Sequence, residues 1–285
     1  MSTSSCFARL PSFAVLVVSG DWEKFLQGQL TCDVRPLTHH TSLGAHLTPQ
    51  GKIRALFRLM PGPDPKSIYL SVPKNIADHA LAELKKYALF TKGLAINLAT
   101  DLHTYGLWDA PLTLSVGQAE YLAPITHACI HPGRMLAIGP EPALDSYCTG
   151  YQKRSEQDWF TAEILAKTPW IFQSTTELFL PHNVQLVEQG GVSFEKGCYT
   201  GQEIVARMHY RGMTGKKTTV LASCTAHLNP GDLILADTLE VGHVVMQAAE
   251  LTLVCLQTTA LTQHLSTTTH VPLSLLASET ESHPE

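Results

Sequence analysis

The stretch FEKGCYTGQEIVARMHY, residues 194–210, sets a cysteine beside a lysine, between glycines, and directly ahead of a helical apolar pattern. A thiol so placed can do chemistry. Thr200 and Glu203 have the spacing of a capping box, which predicts a helix with its N-cap at Thr200, and Tyr199 and Ile204 have the spacing of a hydrophobic staple. Cys198 then lies two residues before the N-cap, near the positive end of the macrodipole and close to Lys196, surroundings that favour thiolate over thiol. Gly197 and Gly201 remove side chains that would hold a ligand away from the backbone. A plainer reading has equal standing: free cysteines are commonly small buried hydrophobes, and a capping box serves any helix. From Glu195 to Lys217 five basic residues (Lys196, Arg207, Arg211, Lys216, Lys217) stand against two acidic ones, in a chain of net charge −5. That contrast marks either a local anion site or a solvated basic face.

Other chemistry-bearing residues are weaker candidates. His127, Cys129 and His131, in HACIH, would share one face of a strand and present three metal-ligand types. Pro132-Gly133 cuts that strand short and no partner carboxylate is evident, so no metal site is expected. Fourteen histidines make accidental neighbours common, and His39-His40 reads as a solvated loop pair. The seven cysteines are odd in number, scattered, and lack the C-x2-4-C spacing of a structural zinc or cluster site. Reduced thiols are expected, with no cluster held by four thiolates of this chain.

The elements that position these residues follow from the apolar patterning. With 285 residues and 44% hydrophobic content the chain can bury a sizeable core, and its length suggests about two domains. A pI near 6.3 argues against a broadly basic, nucleic-acid-coating surface. No apolar run approaches the roughly 18 residues of a membrane span, and the N-terminal stretch has neither an h-region nor an Arg-rich transit pattern. No membrane association and a cytoplasmic location are expected. Residues 12–18 read as a strand, followed by a helix with Trp22, Phe25, Leu26 and Leu30 on its apolar face. Residues 41–60 read as a hairpin turning at Pro49-Gln50-Gly51, where proline presets the first turn position and glycine accepts positive φ. A strand at 67–72 leads to a helix striped by Ile76, Ala80, Leu81, Leu84 and Ala88. Strand-like stretches follow at 94–108 and 134–138, then a helix in SEQDWFTAEILAKTPW that Pro169 stops, with Trp159 and Phe160 read as core. From about 216, brief strands separated by turns such as Asn229-Pro230-Gly231-Asp232 predict a small all-β module. The Thr-rich stretch 258–270 has no decided state, and the last residues read as a frayed tail. The mixture lacks a βαβ rhythm, which favours an α+β fold with antiparallel sheets.

GGVSFEKGCYTGQEIVAR (190–207) resembles the K-G-C-Y-T-G-Q-E signature of the YgfZ family of folate-binding proteins linked to iron-sulfur enzymes. FLQGQLTCDV (25–34), TPQGKIRALFRL (48–59), FLPHNVQL (179–186) and NPGDLILADTLEVGHVV (229–245) resemble family segments in family order. The family is similar to the T-protein, the aminomethyltransferase of glycine cleavage. The resemblance implies three subdomains around a central folate-binding hole: a body over 1–215, in two α+β parts of about 1–95 and 96–215 that can interleave, a β-barrel over 216–275, and a tail over 276–285. It implies a tetrahydrofolate-binding accessory protein for assembly or repair of iron-sulfur clusters in client enzymes, including those that thiolate tRNA, with Cys198 as the functional thiol. Lys196, Tyr199, Gln202, Glu203 and Arg207 would shape or charge the folate side, with Lys196 and Arg207 facing its glutamate carboxylate. Asn183 would offer an amide to the pterin edge. No turnover of its own is expected, and the alternative is a folate-dependent one-carbon (aminomethyl) transferase or demethylase. Against that alternative, T-proteins carry an acidic pair where this chain reads Arg54-Ala55, which leaves no obvious acid or base there. Asp33 could substitute, but an aspartate in TCDV more simply caps a turn. Direct tRNA binding is not expected, since no RNA-binding motif is present.

Overall fold

The computed structural model describes residues 5–111, 113–211 and 217–276. The first part of the chain forms β1 (Cys6–Arg9), β2 (Phe13–Ser19), α1 (Trp22–Gln29), β3 (Ser42–Leu47), β4 (Ile53–Pro61), β5 (Ser67–Pro73), α2 (Ala77–Ala88) and β6 (Ala95–Ala99). Next come β7 (His103–Trp108), β8 (Ala119–Leu122), β9 (Ile125–His131), β10 (Arg134–Gly139), α3 (Glu141–Tyr147), β11 (Gln152–Lys153), α4 (Glu156–Leu165) and α5 (Gln202–Tyr210). The remainder is β12 (Lys217–Ser223), β13 (Leu233–Ala236), β14 (Leu239–Ala248), β15 (Leu251–Gln257), β16 (Leu265–Thr267) and β17 (Pro272–Leu275).

These strands make one sheet ordered β3-β4-β5-β2-β6, a second ordered β11-β1-β7-β10-β9-β8, and a closed barrel ordered β12-β15-β14-β13-β16-β17. The sheets interleave in sequence. β1 leaves the strand that follows it and pairs antiparallel with β7, Cys6 opposite Trp108 and Arg9 opposite Tyr105. Nothing local in Cys6–Arg9 announces that partner, which lies a hundred residues away. The β3–β4 hairpin does follow from its sequence: Gly51 takes φ 79° and the Thr48 N–H donates to the Lys52 carbonyl at 2.8 Å.

α4 is the tie between the parts. Its N-terminus is a capping box, Ser155 Oγ accepting from the Asp158 N–H at 3.1 Å while the Ser155 N–H donates to Asp158 Oδ2 at 2.9 Å. The helix ends at Leu165, ahead of Pro169, and Lys167 takes φ 53°. On its buried face Trp159 packs into the core and Glu163 accepts from Arg134 Nη1 at 2.7 Å and Trp170 Nε1 at 3.0 Å. The buried carboxylate is thereby both paired and hydrogen-bonded, the condition for its burial. Val245, Met246, Leu253 and Cys255 of the barrel join the same core as α1, β2 and β4. The barrel also has an apolar interior of its own, with Ile234, Val244, Val254 and Leu256.

The Thr-rich stretch resolves into structure. Thr267 Oγ1 accepts from the Val271 N–H at 3.1 Å, and the turn so held returns β17 against β16 to close the barrel. β1, α3 and β11 were not expected from the sequence. The 215/216 boundary, Lys216 and the end of the tail lie outside the described residues. No helix among those described is long and apolar enough to cross a membrane.

Candidate functional site

Three segments far apart in sequence meet at the start of α5. The hairpin turn comes first. Ile53 pairs with the strand-like segment ahead of Asn183, its N–H donating to the Phe179 carbonyl and its carbonyl accepting from the Glu177 N–H, both at 2.8 Å. The turn also abuts the helix. A Cβ on Gly201 would lie 2.5 Å from the Thr48 carbonyl oxygen, and one on Gly51 would lie 3.0 Å from Cβ of Ile204. Two glycines therefore let two backbones touch, and Gly201 takes φ 80° besides.

That contact corrects the expected helix start. The N-cap is Gly201, in the left-handed region and with no side-chain cap, so the Thr200–Glu203 capping box does not form. The reason is steric: the close approach to the turn demands glycine where the chain enters the helix. Ile204 packs on the turn, and Cys198 stands three residues ahead of the N-cap.

The loop bearing Cys198 is pinned on both sides. Ahead of it, the Phe194 ring stacks on His209 of α5, centroids 3.8 Å apart and planes 17° apart, and the Ser193 N–H donates to the Thr31 carbonyl at 2.9 Å. Lys196 turns inward: its Nζ donates to the Leu30 carbonyl at 2.6 Å and the Cys32 carbonyl at 2.8 Å. Burial draws its pKa down to about 8, opposed by the neighbouring Cys32 and Asp33. The Tyr199 ring is buried with the Lys196 ammonium 5.1 Å from its centroid, a cation–π contact. Burial pushes the Tyr199 hydroxyl up to about 12. With 194, 196 and 199 all anchored, Cys198 faces outward, as do its loop neighbours Glu195 and Gly197. It is the exposed one among seven free cysteines, the other six being buried. The reading of Cys198 as a small buried hydrophobe is therefore overturned.

The remaining sequence-derived candidates divide. Gln202 is half-buried, and Glu203 and Arg207 are exposed and paired with each other at 2.7 Å across one helical turn. Asn183 is buried and used locally: its Oδ1 accepts from the Leu180 N–H at 3.2 Å, and its carbonyl accepts from Thr219 Oγ1 of the barrel at 2.5 Å. Asp33 caps the turn, accepting from the Arg35 N–H at 3.1 Å, and the Arg35 guanidinium beside it holds its carboxyl well below the usual range. Arg54 is ion-paired, Nη1 with Glu83 and Nε with Glu177, each at 3.0 Å, while Ala55 is wholly buried. His127 and Cys129 are buried and His131 is exposed, and no three His, Cys, Asp or Glu among the described residues are grouped to hold a metal.

Two larger cavities lie elsewhere. One, about 830 Å³, sits where the β1–β2 connection, α4 and barrel strand β14 meet, with Phe160, Phe172 and Met246 in its wall. The other, about 720 Å³, is lined by Arg9, Phe13, Lys74 and Tyr105. None of Asn183, Lys196, Cys198, Tyr199, Gln202 or Arg207 lines either. The sequence reading missed Arg58, a buried cation on β4. Its signal was there: an arginine in the apolar run LFRLM cannot face a core without a purpose.

No family model matches the chain. It is 31% identical over 237 residues to the tRNA-modifying protein YgfZ of Vibrio atlanticus, covering 80% of this chain and 71% of that protein. It is 36% identical over 213 residues to an uncharacterized protein of Haemophilus influenzae, covering 73% and 70%. Against the tRNA-modifying protein YgfZ of Escherichia coli it is 28% identical over 275 residues, covering 84% and 83%. Among solved structures, the glycine cleavage system aminomethyltransferase T from Bartonella henselae matches with a TM-score of 0.74 over 96% of this chain and 85% of that one. At 13% identity that likeness is one of fold, and it bears out the expected T-protein-like architecture.

Proposed function

The chain belongs to the YgfZ family, and from that premise we propose that it is a folate-binding accessory protein that supports iron-sulfur clusters in client enzymes, among them enzymes that thiolate tRNA. The observation that carries this reading is the presentation of Cys198. One thiol of seven is held outward on a loop fixed at 194, 196 and 199, next to a helix start that two glycines press against the hairpin turn. A rigid mount is what a reacting sulfur needs, since a thiol that must meet iron or sulfur in another protein gains by being positioned beforehand. The cluster belongs to the client and is the substrate of the encounter.

For tetrahydrofolate, Gln202, Glu203 and Arg207 are the side chains of the motif segment that reach the surface, and Arg207, whose exposed pair with Glu203 a ligand can replace, is the partner for a glutamate carboxylate. Lys196, Tyr199 and Asn183 act from behind, holding the loop and the neighbouring turn. A second seat for the pterin is favoured by the 830 Å³ cavity, whose Phe160 and Phe172 offer aromatic faces and whose volume suits a ligand of that size. Aminomethyl transfer is disfavoured, because Arg54 stands where T-proteins carry an acidic residue and the carboxylates beside it, Glu83 and Glu177, are ion-paired to it.

The test pairs two measurements on wild type and Cys198→Ala: tetrahydrofolate binding by the purified chain, and restoration of tRNA methylthiolation in a cell lacking its own family member. Folate binding kept with restoration lost is expected. Full restoration by the alanine variant removes the thiol from the mechanism, and stoichiometric one-carbon transfer by the purified protein replaces this reading with the transferase one. Phe160→Ala and Arg207→Ala, titrated with the same folate, separate the two seats.

A further inference from the structure

A smaller cavity of about 240 Å³ lies between β3, β4 and the segment leading into α5, walled by Thr41, Ser42, Arg58, Gly117, Cys129 and Gly190, among others. Arg58 is only 9% exposed. Among the described residues its guanidinium makes no hydrogen bond and no ion pair. No acidic residue lines the cavity. Glu163, whose carboxylate attracts Arg58 from a distance, is already engaged by Arg134 and Trp170. The other polar groups of the wall are occupied: Thr41 Oγ1 donates to the Leu59 carbonyl at 2.8 Å, Ser42 Oγ to the Leu43 carbonyl at 2.9 Å, and Gln189 Nε2 to the Ala166 carbonyl at 2.9 Å.

The cost of this arrangement points to its use. Burial lowers the Arg58 pKa only to about 10, so the group is charged at neutral pH. A buried charge without a partner is strongly unfavourable, and apolar replacement of such groups is often stabilising. Evenly placed donors in a planar fork suit one ligand chemistry above others, the two oxygens of an oxyanion. We propose that this cavity is an anion site in which the Arg58 guanidinium grips a small oxyanion, a carboxylate or a phosphate, against the walls of β3 and the 189–190 turn. The anion has two possible sources: a free ion, or the acidic end of a larger ligand such as the folate glutamate. The second source rests on the function proposed above.

The experiment uses the full chain. Phosphate is titrated at constant ionic strength against chloride and followed by calorimetry and thermal melting, with wild type, Arg58→Met and Val116→Trp. Val116 is 56% exposed at the cavity rim, so the bulky variant blocks entry without needing core space. Wild type is expected to show saturable binding and a raised melting temperature. Both variants should bind at least about tenfold more weakly, a loss equal to one charge-assisted interaction. In phosphate-free buffer Arg58→Met should melt no lower than wild type, whereas an arginine with a purely structural role would give a lower melting temperature. Tetrahydrofolate and its counterpart without glutamate form the second arm. Weakening by Arg58→Met confined to the glutamate-bearing form assigns the anion to the folate tail, and weakening of phosphate alone assigns it to a free ion. A chain that binds no folate at all sinks the folate reading and leaves the phosphate arm standing. Phosphate binding unchanged in both variants, or a wild type that responds to neither phosphate nor tetrahydrofolate, overturns the anion site.

Discussion

Cys198 is the residue on which the functional reading turns, and its accessibility makes a sharp expectation. Thiol reactivity needs both thiolate character and exposure. The other six cysteines are buried, and burial pushes Cys32 up to about 11 and Cys148 and Cys255 up to about 12. A brief treatment of the native chain with iodoacetamide should therefore place one alkyl group per molecule, at Cys198, as located by peptide mass spectrometry. Comparable early labelling at any of the buried six would show that the fold does not select this sulfur. Lys196 illustrates how a residue can be correctly singled out and wrongly oriented by sequence alone. Its neighbour relation to Cys198 is local, but its side chain answers to two carbonyls, of Leu30 and Cys32, more than a hundred and sixty positions earlier. The cation supports the loop from inside.

At the scale of elements, the entry to α5 separates what a motif suggests from what packing allows. Thr200 and Glu203 have capping-box spacing, yet Gly201 holds the N-cap because the hairpin turn leaves no room for a Cβ. Two substitutions tell these apart by chemical denaturation. Thr200→Ala should change stability by less than about 0.5 kcal/mol, since no cap is lost, where a working cap would cost about 1 kcal/mol. Gly201→Ala should cost more than about 2 kcal/mol, combining a left-handed conformation with a contact at 2.5 Å to the Thr48 carbonyl. The reverse order of the two effects would restore the capping box. α4 gives the opposite lesson: Ser155 and Asp158 form the full reciprocal box, because the N-cap there is in extended backbone that any residue can adopt and no contact demands glycine.

For the molecule as a whole, the buried histidines set an acid limit. His46 and His127 are buried with both ring nitrogens unpartnered, and burial holds each near a pKa of about 4. At pH 7 they are neutral whether the chain is folded or not. As pH falls through about 6.5 the unfolded chain binds protons that the folded one refuses until about 4, so stability is lost across that window, by about 3 kcal/mol for each ring. His127 packs on Tyr147 at 4.8 Å, a place a phenyl ring can fill. His127→Phe should thus match wild type at pH 7 and exceed it in urea midpoint at pH 4.5, and identical pH dependence of the two would show that this ring is not the source. The sequence by itself determined the α+β class, the Thr48–Gly51 hairpin, the amphipathic helices, the all-β end and the identity of Cys198 as the sulfur to watch, because each rests on periodicity, turn chemistry or a motif within some twenty residues. Only the tertiary structure decided that β1 joins β7, that Lys196 faces inward, that glycine caps α5, and that Arg58 stands unpaired in a cavity. Those outcomes depend on which distant backbone or side chain arrives alongside, and no local pattern encodes the neighbour.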